Sequence, residues 1–590
     1  MVLSISITGL FVAALAGLVL VPKTKERING IKVIIMGIMA LFCYLFLSAY
    51  LFFWGSMPVG PETLWIPLLL LNEVLWGVIL RKRRVQKLFF RITDLICIVL
   101  ICVPVVLASL HIFTAGLQLQ YRNWDAAVHF SWAMYSAQYH TLLGTGTKFS
   151  AFLDALFIQV LGPALEPVLM YKAFIAADIF LHILEVCMFY VLVITVSDKK
   201  SVRLMAPLFS LGYFWGYPAY SYMTGNFVYW SNGVMILILI IYALVLWEKH
   251  EDDSIWSILL LILGAFANLH CNKLFVPINS VALFATFAVI TWRKIRHRVS
   301  RKALFAVMAA GVAVFAIFVR FYTKQWGNPF TYLTHYQGNG AMYRAMYCDI
   351  IFFLPALLYV TFETLRNKKQ KRTIWFMSIC MLCAAAGMYI LWYRYLLSCY
   401  YYYKIYYNVW LCGWLLAAAA LAIASEKKQL TAYFSCTCMV AVLSWLSFSD
   451  YDRVMTEYNE TYNGEYATAQ MFPLFRFNTD SMADDYENYR VSDQLIDVLD
   501  YAVKHCEGTS VWLISADYGT RLWGNGISNF YTPEVPDDAE AILAYMRESG
   551  VSMFVAVKEE EPYERWAAVF ETCQTVYENE GAVLFQIPQM

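Results

Sequence analysis

Charged residues are scarce in this sequence. Asp, Glu, Lys and Arg make up 15% of its 590 residues, against about 25% in ordinary soluble proteins. The hydrophobic share is 60% and the mean hydropathy is +0.54, and no single soluble core could bury that much apolar surface. The composition excludes a soluble globular enzyme, a disordered chain and a cytosolic nucleic-acid binder, and it is typical of a polytopic membrane protein.

Several familiar sequence signals are also missing. None of the 14 cysteines lies in a convincing zinc-binding context. The glycine-rich stretch at 519–526 lacks the GxxxxGK[ST] pattern of a phosphate-binding loop. The first apolar stretch has no basic residues ahead of it, so it does not resemble a cleaved signal peptide. The sequence identifies no particular cofactor, and whether a divalent metal takes part stays open.

Long apolar stretches dominate the first three quarters of the chain. A membrane-spanning helix needs roughly 17–25 mostly apolar residues. That criterion predicts about fourteen spans, at 3–22, 32–54, 62–80, 92–114, 168–196, 204–222, 231–247, 254–269, 274–292, 303–322, 347–364, 373–393, 405–424 and 431–449.

The charge distribution divides the chain and orients it. Residues 1–449 hold 36 Lys and Arg against 17 Asp and Glu, whereas residues 450–590 hold 8 against 26. Alternate loops between spans are basic, which predicts that they are cytoplasmic. The N-terminus, the 115–150 loop and the acidic tail then lie outside the plasma membrane. We therefore predict a transmembrane domain at 1–449 and a soluble extracytoplasmic domain at 450–590.

The acidic tail reads as a small α/β domain. Helices are predicted at 491–505 and 537–548, and strands at 510–516, 551–557 and 582–587. Their alternation favours a mostly parallel sheet.

The outer loop at 115–150 carries the main candidate for chemistry. Asp125 begins a stretch with helical spacing, in which His129 lies one turn further on and Trp132 follows on the same face. A carboxylate at a membrane surface can act as a general base. The alternative is that Asp125 caps the helix, and the two roles are compatible.

The segment Trp124-Asp125-Ala126-Ala127-Val128-His129, in an outer loop soon after a span, resembles the GT-C class of membrane glycosyltransferases. Segments from Gly216-Tyr217-Pro218 to Tyr229-Trp230, and Tyr393-Arg394-Tyr395, are also similar to bacterial members. This chain departs from the class in two ways. Three spans precede the span that leads into the loop with Asp125, whereas the simplest members have none there. A second acidic pair beside the Asp, which some members have, is absent. The resemblance implies a sugar on a polyprenyl phosphate as donor, with Asp125 as the catalytic base.

Such a reaction transfers the sugar to an acceptor hydroxyl on the outer face and inverts the anomeric configuration. His129 would position Asp125 or the acceptor, which is an unknown glycan, lipid or protein. A phosphate-linked donor needs cations to hold the leaving phosphate. Basic side chains predicted on the outer face, against the general trend, are the candidates: Lys172, Lys273, Arg394 and Lys404. For any one of them the alternative is that the side chain reaches toward the lipid headgroups.

Polar residues inside or beside the spans extend the candidate cavity. Asp178, His182 and Glu185 share one face of the fifth span, and His270 and Tyr393 lie near outer ends. They could line a substrate cavity, but an interhelical hydrogen-bond network is the favoured interpretation. Two rival functions stay open: a transporter or flippase that uses the Asp178, His182 and Glu185 face, and a non-catalytic subunit for assembly of the cell envelope.

Overall fold

The structure is a computed structural model that describes most of the membrane part and much of the tail. The described residues are 2–21, 27–81, 87–118, 124–143, 148–161, 167–197, 199–215, 228–249, 254–271, 276–295, 342–366, 372–393, 399–431, 491–506, 510–514, 527–529 and 539–588, with a few single residues between 300 and 320 and between 433 and 438.

Helices account for most of the described residues up to 431. They are α1 (Val2–Leu20), α2 (Gly30–Trp54), α3 (Pro61–Arg81), α4 (Ile92–Phe113), α5 (Trp124–Gln138), α6 (Lys148–Leu161), α7 (Pro167–Val196), α8 (Lys200–Trp215), α9 (Val228–Lys249), α10 (Ser254–Leu269), α11 (Val276–Ile295), α12 (Met342–Arg366), α13 (Arg372–Tyr393) and α14 (Cys399–Glu426). Two short parallel strands, β1 (Arg27–Asn29) and β2 (Lys87–Phe89), precede α2 and α4.

The chain is a polytopic helical membrane protein. Six helices of the described part, α2, α3, α4, α7, α9 and α14, contain stretches long and apolar enough to cross a membrane, and α1, α10 and α13 contain shorter apolar stretches. Twelve of the fourteen predicted spans coincide with a helix. The predicted spans at 303–322 and 431–449 lie almost entirely outside the described residues. The side of the membrane on which each end lies stays a prediction.

Burial separates central helices from peripheral ones. In α7, α9 and α14, 83%, 89% and 94% of the spanning stretch is buried inside the protein, whereas the figure is 28% in both α3 and α4. A helix that is apolar all round belongs either in a protein core or in lipid. The apolar side chains that α3 and α4 leave exposed therefore face hydrocarbon, and α7 forms part of the centre of the bundle.

Glycine sets the distance between α1 and α2. A Cβ on Gly17 would lie 1.9 Å from the carbonyl oxygen of Val33, and a Cβ on Gly37 would lie 1.9 Å from that of Ala13. Only a residue without a side chain permits such a close approach, as in other membrane helix pairs with small residues at the crossing.

A buried carboxylate joins four segments at one end of the bundle. Asp94, in the first turn of α4, accepts hydrogen bonds from Asn29 Nδ2 at 2.7 Å and from the Tyr190 hydroxyl at 3.2 Å. Arg203 Nε lies 3.5 Å from the same carboxylate. Asn29 also accepts from the backbone N–H of Ile31 and so caps α2. These contacts satisfy a charge that would otherwise be costly to bury.

The tail forms an α/β unit with a mixed sheet. Its elements are α15 (Asp493–His505), β3 (Ser510–Ile514), β4 (Ile527–Asn529), α16 (Ala539–Glu548), β5 (Val551–Val557), α17 (Glu561–Arg565), α18 (Ala567–Phe570), β6 (Gln574–Glu578) and β7 (Ala582–Gln586), and the strand order is β4-β3-β5-β7-β6. The pairs of β3 with β4 and β5 are parallel, but β7 pairs antiparallel with β5 and β6.

The expectation of a mostly parallel sheet is therefore wrong for half of its strand pairs. The reason is a hairpin between β6 and β7, which are separated by only Asn579–Gly581. So short a connection can join antiparallel strands, whereas parallel strands need a long crossover. The Asn579 side chain accepts from the backbone N–H of Gly581 and of Ala582 at 3.0 Å and so stabilises the turn.

Candidate active site

The helix predicted after Asp125 is present. α5 runs from Trp124 to Gln138, so Asp125 lies in its first turn and His129 one turn later. A carboxylate in the first turn of a helix interacts favourably with the helix dipole. That position serves a structural role and a catalytic role equally, so the two alternatives stay open. The structure describes the backbone of Asp125 and not its side chain.

Aromatic contacts fix α5 against the central helix α7. Phe130, which is buried, packs edge-on against Tyr171 and Phe174, with ring centroids 5.5 and 5.4 Å apart. His129, which precedes Phe130 in α5, is also buried, and its ring centroid lies 5.2 Å from that of Trp132. The result is a helix held at the start of α7 with His129 packed rather than free in solvent.

The tail meets the membrane part at the same end of α7. Lys172 donates from Nζ to Asp493 Oδ2 at 2.6 Å, and Asp493 lies in the first turn of α15. The two side chains are 28% and 42% exposed. Lys172 directly follows Tyr171, which contacts α5. The start of α7 therefore lies beside both α5 and the C-terminal unit.

Lys148 is a second cation of the described chain, and no local sequence pattern predicts a role for it. Its ammonium lies over the rings of Tyr50 and Phe53, 5.3 and 4.6 Å from their centroids. Burial lowers the pKa of Lys148. It begins α6, and the backbone N–H of the next residue, Phe149, donates to the carbonyl of His270 at 3.3 Å.

His270 lies in an aromatic cluster next to Lys148. Its ring centroid is 4.8 Å from that of Tyr50 and 5.1 Å from that of Phe266. Burial first, and the Lys148 charge second, lower the pKa of His270 to about 4. The imidazole is therefore neutral at physiological pH. Its low exposure of 5% is what an aromatic packing role requires.

The polar face of α7 is buried. His182 Nδ1 lies 2.8 Å from the carbonyl oxygen of Asp178 and 3.4 Å from its carboxylate. Glu185 accepts a hydrogen bond from the Tyr213 hydroxyl of α8. The hydrogen bond between Tyr213 and Glu185 joins two helices, as expected for an interhelical hydrogen-bond network.

Asp154 lies close to the buried polar face of α7, and no local sequence pattern predicts this. Asp154 lies on α6 and is 2% exposed. Burial and the nearby charge of Asp178 raise the pKa of Asp154 well above its usual range. Its position on a separate helix explains why the spacing along α7 gave no signal for it.

Other predicted residues are described only in part. Lys273 and Arg394 lie outside the described residues, and for Tyr393 and Lys404 the structure gives the backbone within α13 and α14. Within the described chain, no group of three His, Cys, Asp or Glu residues could hold a metal ion. The predicted assembly of these cations around Asp125 stays a prediction.

Comparison with known proteins gives a distant likeness to a solved structure. No protein-family model matches the chain, and no curated protein matches it. Among solved structures, it is similar to the oligosaccharyltransferase of Archaeoglobus fulgidus, crystallised in complex with zinc and sulfate. The TM-score is 0.38 at 12% identity, over 82% of this chain and 73% of the other. Likeness at that level carries no inference about the activity of this chain.

Proposed function

We propose that the protein is a membrane glycosyltransferase that uses a polyprenyl-phosphate-linked sugar as donor. One observation carries the proposal. A helix with Asp125 in its first turn, α5, follows the spanning helix α4 and packs on the start of α7, where the C-terminal unit also makes contact. This arrangement supports a reaction centre at the membrane surface with a soluble unit beside it.

In the proposed reaction Asp125 removes the proton of an acceptor hydroxyl as that oxygen attacks the anomeric carbon. The new oxygen–carbon bond forms while the bond from the anomeric carbon to the phosphate oxygen breaks. The polyprenyl phosphate leaves with the electron pair, and the proton stays on the Asp125 carboxyl group. One displacement of this kind inverts the anomeric configuration.

The cations have distinct proposed roles. Lys273, Arg394 and Lys404 bind the donor phosphate and stabilise the charge that it gains as it leaves. Lys172 already has a carboxylate partner in Asp493, so its main role is attachment of the C-terminal unit. His129, buried one turn from Asp125, positions that helix turn and so acts on the reaction through Asp125.

A transporter is the second candidate, and the buried polar face of α7 favours it. Buried ionisable groups inside a membrane commonly mark ion or proton pathways. In such a protein Asp178, His182 and Glu185 would be needed for transport, and Asp125 would not. The two functions therefore predict opposite effects of the same substitutions.

The test compares Asp125→Asn with Glu185→Gln in membranes from cells that lack the native chain. The probes are radiolabelled glucose, galactose, mannose and arabinose, each on a synthetic polyprenyl phosphate. We expect Asp125→Asn to lower sugar transfer at least a hundredfold at normal expression, because loss of a general base costs about 10²–10⁴-fold. Glu561→Gln, which removes an exposed carboxylate of the tail, is the control and should transfer normally.

Two results would contradict the proposal. One is transfer by Asp125→Asn at the wild-type rate. The other is an absence of transfer from every donor by the wild-type protein, together with substrate movement across the membrane that Glu185→Gln abolishes. The second result would favour the transporter.

A further inference from the structure

An apolar cavity lies between the first three helices and α6. Its volume is about 320 Å³, and the residues that line it include Gly9, Leu41, Leu64, Leu156 and Phe157. It lies near the N-terminal ends of α1 and α3. None of the residues proposed for sugar transfer lines it.

The cavity exists because α1 and α2 separate along their length. Gly9, Ala13 and Gly17 recur every four residues, so they share one face of α1. At Gly17 the backbone of Val33 in α2 fills the space, and Gly37 of α2 approaches the backbone of Ala13, which borders the cavity. At Gly9 an added Cβ would meet only Leu41 Cδ2, at 3.9 Å. The small-residue face that brings the helices together at one end is thus left open at the other.

Two of the lining residues are also exposed on the outside of the helix bundle, so the cavity is open there. Leu10 and Leu161 line it and are also 64% and 53% exposed. An empty apolar cavity forfeits dispersion contacts on all its walls. Water gains no hydrogen bonds from an apolar lining. A hydrocarbon chain is the available molecule that fills such a space.

A charged residue directly follows one of the lining residues in the chain. Pro61 and Leu64 line the cavity, and Glu62 between them is 56% exposed. His140 Nδ1 lies 4.0 Å from this carboxylate. A carboxylate next to a lining residue in the chain attracts the ammonium of phosphatidylethanolamine, and it repels the monoester phosphate of a polyprenyl lipid.

We propose that this cavity binds one acyl chain of phosphatidylethanolamine, with its headgroup beside Glu62. The volume is at the lower end of the range of small-molecule sites, about 300–1,000 Å³, which suits one chain. The site is separate from the proposed sugar-transfer site and does not depend on it.

The experiment uses the full-length protein in nanodiscs and two photoreactive probes. One is phosphatidylethanolamine with a diazirine midway along one acyl chain, and the other is a diazirine-bearing polyprenyl phosphate. Gly9→Phe fills the cavity from α1. Gly77→Phe is the matched control, because a Cβ on Gly77 meets nothing within 4 Å and Gly77 does not line the cavity. Crosslinked residues are mapped by mass spectrometry.

We expect the phosphatidylethanolamine probe to label peptides of α1, α3 and α6 in the wild-type protein and in Gly77→Phe. Labelling should fall at least fivefold in Gly9→Phe. Gly9→Leu, with a smaller side chain, should give an intermediate loss and provides the test if Gly9→Phe does not fold. Equal labelling of Gly9→Leu and wild type would overturn the proposal, as would stronger labelling of the cavity by the polyprenyl phosphate probe.

Discussion

The ion pair between Lys172 and Asp493 predicts a specific pattern in a double-mutant cycle. Its 2.6 Å separation is short, but the side chains are 28% and 42% exposed. Solvent screening at that exposure limits the coupling to about 1 kcal/mol. Asp493 also lies in the first turn of α15, where its charge interacts with the helix dipole for about 0.5 kcal/mol. Asp493→Asn should therefore destabilise the protein by about 1.5 kcal/mol, and Lys172→Met by about 1 kcal/mol.

The assay is urea unfolding of the purified protein in detergent, with both single variants and the double variant. Urea is uncharged, so it does not screen the pair as guanidinium chloride would. The coupling should fall when salt rises from 0.1 to 1 M, because the Debye length shrinks from about 10 to about 3 Å. Tyr577, which donates to Asp497 on the same helix at 2.9 Å, offers a control: Tyr577→Phe should show no coupling with Lys172→Met.

Sugar transfer separates the attachment role of Lys172 from a phosphate-binding role. If Lys172 attaches the C-terminal unit, Lys172→Met and Asp493→Asn should lower transfer by similar factors. A coupling of zero would refute the reasoning from the ion pair. A large loss of transfer in Lys172→Met, with none in Asp493→Asn, would instead return Lys172 to the phosphate site.

Three further predictions concern stability. Gly37→Leu should prevent normal packing of α1 on α2, because its Cβ would lie 1.9 Å from the carbonyl oxygen of Ala13; the measurement is the folded fraction in size-exclusion chromatography. Tyr213→Phe should lower the free energy of unfolding by about 1–3 kcal/mol, because it leaves the buried Glu185 carboxylate without this donor. The pKa of His270 is about 4 when folded and about 6.5 when unfolded, so the unfolded chain takes up the proton first. The free energy of unfolding therefore has its full value, as far as His270 is concerned, above about pH 6.5. It decreases by about 3 kcal/mol as the pH falls through 4, and His270→Phe should remove that pH dependence.

Local patterns predicted much of this fold. The apolar stretches gave the positions of most spanning helices, and the spacing from Asp125 to Trp132 predicted α5. The amphipathic pattern at 491–505 predicted α15, which Ser492 caps by accepting from the backbone N–H of Leu495 at 3.1 Å. In each case the residues that determine the element lie within a few turns of one another.

Contacts between distant segments could not be predicted in this way. Lys172 and Asp493 are 321 positions apart. Lys148 lies near His270 because α6 begins beside the end of α10. The strand β6 was not predicted, because it lies at an edge of the sheet, carries polar residues and has no long apolar run. Asp94 gave no local signal because its partners come from three other segments.

The most direct test of the account is the stereochemistry of the transferred sugar. The purified protein is incubated with an active polyprenyl-phosphate sugar and its acceptor, and NMR coupling constants give the anomeric configuration of donor and product. A single displacement, with Asp125 acting only as a base, predicts an inverted configuration. A retained configuration would contradict the account, because retention requires two displacements and a covalent intermediate on a second nucleophile.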